Sequence, residues 1–200
     1  WLGAGPPTGI AAFDQRGSVL LSLRNIHTLA VVDLTKGRVT WASEGDWRAQ
    51  HEATRTATGS VLFFDNLGRG GRSRVVELDP QSNAIVWSYG GGESLEESGE
   101  DGGADALAPH EADLYSPICG SVRRLPRGNT LITESTAARV LEVTPEKQIV
   151  WEYRSPHRVE VEGESRVAMI ADLVRIDATE VEVWLPRDPG ELDETPDPAR

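Results

Sequence analysis

Two hundred residues with 32 Asp and Glu against 20 Lys and Arg carry a formal net charge of −12, and nothing in that balance suggests the basic face that nucleic-acid binding needs. A hydrophobic content of 38% suffices for sheet-on-sheet cores, and 20 Gly with 12 Pro fit a turn-rich all-β protein. The single Cys119 allows no disulfide within the chain, and no apolar run approaches the roughly 18 residues of a membrane-spanning helix.

In chain order, residues 1–16 read as turn chemistry at Pro6-Pro7 and Thr8-Gly9, then a strand around Ile10–Asp14. Strands follow over 17–23 and 28–34, with Val19, Leu21 and Leu23 in strict alternation. Thr35-Lys36-Gly37 turns the chain into Arg38–Trp41, completing a four-stranded unit over about 10–41. Residues 44–58 connect to a second unit over 52–87, which they enter as its innermost strand. That unit contains a long hairpin at Leu67–Ser73 and a turn at Asp79–Asn83, where Pro80 presets φ and Asn83 tolerates φ > 0. A third unit runs over 120–153, and a partial unit is expected over 165–185.

The acidity is local. Eight acids and no Lys or Arg lie between Glu93 and Asp113, and the tail from Asp188 to Arg200 has a net charge of −4. The acidic, Gly-rich segment 90–113 reads as an insertion, and 186–200 as a disordered tail, both outside a neutral repeat body.

The repeat is explicit. Gly17-Ser18-Val19-Leu20 leads to Leu29–Asp33 and ends at Trp41. Gly59-Ser60-Val61-Leu62 leads to Arg74–Asp79 and ends at Trp87. Gly128-Asn129-Thr130-Leu131 leads to Arg139–Thr144 and ends at Trp151. Strand, strand, turn, strand, tryptophan is the signature of a radially repeated sheet. The expected fold is therefore an all-β propeller with blades of four antiparallel strands. Closure takes about 4–8 blades, so three clear repeats over 1–185 predict part of a larger propeller.

Several motifs in this order resemble the bacterial arylsulfotransferase family. They are Leu21–Asn25 followed by Leu29–Asp33, Trp47–Ala53 with its Gln50-His51 pair, and Gly59–Asn66 with Phe63-Phe64-Asp65-Asn66. Ser73–Pro80, Leu114-Tyr115-Ser116 and Arg124–Glu134 follow in the same order. The similarity runs from about residue 8 to residue 185. It implies a six-bladed propeller that moves a sulfuryl group from a phenolic sulfate ester to a phenol through a transiently sulfated histidine. It also implies a periplasmic or extracellular location, and requires no cofactor or metal. The family's nucleophile falls on His51 and its blade arginine on Arg24. One element departs: Pro6 and Thr8 stand where the family carries a His-x-Asn pair.

Other residues are weighed from the sequence itself. Trp47 does not recur with the repeat and precedes His51 by four residues, which makes it a candidate aromatic wall for a phenol. His27 follows Arg24 by three and is a candidate for the same mouth; the plainer reading is an exposed turn histidine. Asp65 and Asn66 open a loop, which they either hold, as Asx residues commonly do, or leave to face the channel, where Asn66 would meet substrate. Arg74 and Arg139 recur with the repeat and read as structural, as do Trp41, Trp87 and Trp151. His110, beside Glu111 and Asp113, has no diagnostic metal-ligand spacing. The alternative to a transferase is an inactive propeller that binds a ligand or a protein.

Overall fold

The chain is described as a computed structural model over residues 17–91 and 113–181. The strand expected around Ile10–Asp14, the Pro6–Thr8 stretch, the tail 186–200 and all but the ends of the acidic segment 90–113 lie outside these residues.

Turn chemistry and apolar runs set the strands. β1 (Ser18–Leu23), β2 (Thr28–Asp33) and β3 (Arg38–Glu44) pair in that order. β4 (His51–Arg55), β5 (Val61–Asp65), β6 (Arg74–Leu78) and β7 (Ile85–Gly90) form a four-stranded sheet. β8 (Ser121–Arg124), β9 (Thr130–Glu134), β10 (Arg139–Val143) and β11 (Ile149–Arg154) form a second. All neighbours are antiparallel and sequential, the up-and-down order of propeller blades. A hairpin of β12 (Arg158–Val161) and β13 (Glu164–Val167) follows. In the expected partial unit over 165–185, residues 168–177 carry no ladder and Ala178–Val181 is a single helical turn.

The turns behave as their residues require. Asn83 adopts φ +57°, with its N–H on the Asp79 carbonyl at 2.8 Å. Lys147 takes the same role at φ +69°, bonded to Thr144 at 2.9 Å. Asp33 caps the first turn by accepting from Thr35 and Lys36 N–H, both at 3.0 Å.

Each repeat tryptophan follows a β-bulge. Val31 faces Trp41 and Val32 faces Val39; Glu77 faces Trp87 and Leu78 faces Ile85; Glu142 faces Trp151 and Val143 faces Ile149. The extra residue twists the outer strand and aims the indole at the next sheet. Trp41 Nε1 donates to the Pro80 carbonyl at 3.1 Å, and Trp87 Nε1 to the Pro145 carbonyl at 2.9 Å. Trp41 is buried as expected, whereas Trp151 is 42% exposed. No described residue accepts its indole proton, so the burial that the repeat predicts depends on a neighbouring blade.

The middle sheet is apolar on both faces. Val61, Phe63, Val76 and Leu78 pack toward Leu29, Val31 and Trp41 of the first sheet. Leu62, Phe64 and Val75 pack the other way, against Val122, Ile132 and Leu141 of the third. A period of two along β5 and β6 thus feeds two cores from one sheet.

Candidate functional site

Register brings the three sheets into one frame. Leu23 faces Thr28, Asp65 faces Arg74, and Glu134 faces Arg139. Arg24, Asn66 and Ser135 therefore occupy one repeat position, the first residue beyond β1, β5 and β9. His51 opens β4 opposite Phe64, at the same end of the sheet as Asn66. Ser22 Oγ donates to the Gln50 carbonyl at 3.0 Å, which places the end of β1 beside the start of β4. Arg24 and His51 consequently emerge at the same end of adjacent sheets. The Arg24 guanidinium donates to Asn25 Oδ1 at 3.3 Å, and no bond joins it to His51 among the described residues.

His51 is half-buried, and its Nδ1 lies 2.7 Å from Asn66 Oδ1. Asn66 is fully buried. Its amide nitrogen donates to the Ser116 carbonyl at 2.6 Å and to the Cys119 carbonyl. Its own backbone carbonyl accepts from Ser73 Oγ at 2.8 Å, and Ser73 Oγ in turn accepts the Ser116 N–H at 2.8 Å. Asn66, expected as a channel or loop residue, is thus held between His51 and the loop that leads into the third sheet.

Asp65 does hold its loop. Its Oδ1 accepts from Arg48 N–H at 2.8 Å and Gly68 N–H at 2.9 Å, and its Oδ2 from Arg74 Nε at 2.8 Å. Arg74 reaches Asp46 at 2.6 Å with its other arm. Burial pushes the Asp65 carboxyl above its ordinary value, and the hydrogen bonds from Arg48, Arg74 and Gly68 oppose the rise. The third sheet repeats the arrangement, with Arg139 3.1 Å from Glu152 and 3.6 Å from Glu134. Burial likewise raises the Glu134 carboxyl against a bond from Tyr115 N–H.

Two candidates sit differently from their sequence reading. Trp47 is 2% exposed. Its ring meets Phe63 edge-on at 5.2 Å between centroids and covers Gly45, where a Cβ would lie 2.1 Å from the ring. An indole in the core between the first two sheets is not an open wall. Its Nε1 donates to the His27 carbonyl at 2.8 Å. His27 is half-buried at φ +56°, and its Nδ1 accepts the Ala49 N–H at 3.1 Å. His27 therefore fastens the loop before His51 to the turn between β1 and β2. The Ser116 and Cys119 carbonyls that hold Asn66 carry no sequence signal, because they are backbone atoms 50 and 53 residues further along the chain. Among the described residues no three His, Cys, Asp or Glu side chains converge as a metal site.

No curated protein sequence matches this chain. Among solved structures, virginiamycin B lyase from Staphylococcus aureus matches 72% of this chain and 40% of its own at 16% identity, with a TM-score of 0.45. A protein of unknown function from Bacteroides caccae matches 72% of this chain and 62% of its own at 11% identity, with a TM-score of 0.33. The chain therefore spans about two fifths of the first structure and three fifths of the second. The arylsulfotransferase (ASST) family matches residues 10–156, and by that match over most of its length, through the sheets that carry Arg24, His51 and Asn66, the chain belongs to the arylsulfotransferase family.

Proposed function

We propose that the protein of which this chain is part transfers a sulfuryl group from an aryl sulfate to a phenolic acceptor, with His51 as the nucleophile. The observation that carries the reading is His51 itself. It opens β4 with one ring nitrogen held by Asn66 at 2.7 Å, and the resemblance of its Gln50-His51 pair to the family's motif supports the nucleophile role. A neutral imidazole nitrogen attacks sulfur and later departs from it, which splits one difficult transfer into two easier ones. In the first step an Nε2–S bond forms and the S–O(aryl) bond breaks, its electron pair leaving on the phenolate. In the second the acceptor oxygen bonds sulfur and the N–S pair returns to the ring. The acceptor's proton ends, by way of solvent, on the phenol released first.

Charge on the sulfuryl oxygens needs a preorganised cation, and Arg24 supplies a fork suited to two of them. The membership supports small aromatic sulfates and phenols as substrates, and a periplasmic or extracellular site of action.

The test is turnover of 4-nitrophenyl sulfate with phenol as acceptor. His51→Ala should abolish it, because the covalent route is gone. Arg24→Ala should lower the rate by about 10²–10³-fold, the cost of one lost charge-stabilising donor. Full activity in His51→Ala would end the assignment. A second reading, a binding propeller without turnover, is favoured by Pro6 and Thr8 in place of the family's His-x-Asn pair; an inactive wild type would support it.

A further inference from the structure

We propose that Asn66 is a positioning residue that locks His51 in its Nδ1–H tautomer, anchored by two carbonyls of the loop leading into the third sheet. The catalytic consequence rests on His51 being the nucleophile; the tautomer does not.

The argument is one of donors and acceptors. Asn66 is fully buried, and its amide nitrogen faces the carbonyl oxygens of Ser116, at 2.6 Å, and Cys119. Carbonyl oxygens only accept. A flipped amide would set Oδ1 against both of them, so the NH₂ group faces the loop and Oδ1 faces His51. Oδ1 also only accepts, and it lies 2.7 Å from His51 Nδ1. The proton of the neutral ring is therefore on Nδ1, and the lone pair is on Nε2. His27 is held the opposite way. The Ala49 N–H donates to its Nδ1 at 3.1 Å, so its ring proton sits on Nε2. The molecule keeps two neighbouring histidines in opposite tautomers.

The anchor is itself built in. The Ser116 N–H is bonded to Ser73 Oγ at 2.8 Å, and Ser116 Oγ donates to the Ile118 carbonyl at 3.0 Å. Cys119 sits at φ +59° and Gly120 at φ +125°. A Cβ on Gly120 would lie 2.7 Å from the Phe64 ring, so only glycine lets this loop close over the middle sheet. The two carbonyls are aimed before any substrate arrives.

The choice of Asn has a chemical effect. An amide takes no proton, so Nδ1 keeps its hydrogen through both transfers. The sulfated ring is then an imidazolium bearing –SO₃⁻, from which the N–S electron pair returns readily to Nε2. A neutral partner also adds no negative charge beside an anionic ester.

The test reads the tautomer directly. In protein labelled with ¹⁵N-histidine, two-bond ¹H–¹⁵N correlations should show a pyrrole-type Nδ1 and pyridine-type Nε2 for His51, and the reverse for His27. His51→Gln identifies the signal. In Asn66→Ala the His51 pattern should move toward Nε2–H while that of His27 stays. In the same variant kcat with 4-nitrophenyl sulfate and phenol should fall by about 10-fold to 10⁴-fold with little change in KM. Wild-type His51 protonated on Nε2 overturns the proposal, whether or not Asn66→Ala folds. Retention of the Nδ1–H pattern in folded Asn66→Ala overturns it as well. An inactive wild type with Nδ1–H upholds the lock and sinks the transferase reading instead.

Discussion

At the scale of single residues, similar chemistry is put to unlike uses by what each side chain touches. His27 and His51 differ in whether the nearest polar atom donates or accepts. Trp47 shows the same point for an aromatic ring. Its indole is bonded to the His27 carbonyl at 2.8 Å and its ring is shut in the core, so it acts through the loop it fastens. Trp47→Phe should cost about 0.5–1.5 kcal/mol, the worth of one hydrogen bond, and leave the KM for an aryl sulfate unchanged. Denaturant titration and initial-rate kinetics check both; a large rise in KM would return Trp47 to the role of substrate wall.

At the scale of elements, the second and third sheets each close one end with a carboxylate facing an arginine, Asp65 with Arg74 and Glu134 with Arg139, and the third sheet has a further ionic contact at its side. Glu142 accepts from Asn129 Nδ2 at 2.7 Å and also pairs with Arg175. The Asn129 bond, with the Arg175 charge behind it, holds the Glu142 carboxyl below its ordinary value of 4.5. The folded state then binds this proton less tightly than the unfolded state. The contribution to stability is complete above about pH 4.5 and is lost as pH falls through the lower, folded value. Glu142→Gln should therefore lower Tm at neutral pH, where the ionised carboxylate contributes in full, and flatten the acid limb of a Tm-against-pH curve so that variant and wild type converge in acid. An acid limb as steep as that of wild type would count against the pairing.

At the scale of the molecule, the middle sheet belongs to two cores. Phe63 packs toward the first sheet and Phe64 toward the third, and both are fully buried. Removing either ring takes a filled site out of one core while the other stays attached. Phe64→Ala should cost about 3–5 kcal/mol, read as a shift of a single cooperative unfolding transition. It should also loosen the Gly120 loop whose carbonyls hold Asn66, so turnover should fall in the protein that remains folded. Two separate transitions, or unchanged stability, would show that the sheets fold independently.

The sequence by itself determined the blades. Period-two apolar runs, Gly and Asn at turns and a tryptophan closing each repeat are local features, and they place strands without knowledge of neighbours. The order of motifs likewise pointed to the family and to His51 and Arg24. Only the tertiary structure decided what lies between blades. Trp47 read as exposed because its four-residue offset from His51 carries no information about Phe63 or Gly45, which cover it. Trp151 read as buried because the repeat cannot say whether a partner sheet stands opposite. The hold on His51 needs Asn66 and two carbonyls 50 and 53 residues further on. A backbone carbonyl has no residue type, so nothing in the chain of letters marks it as the atom that orients a side chain in the adjacent sheet.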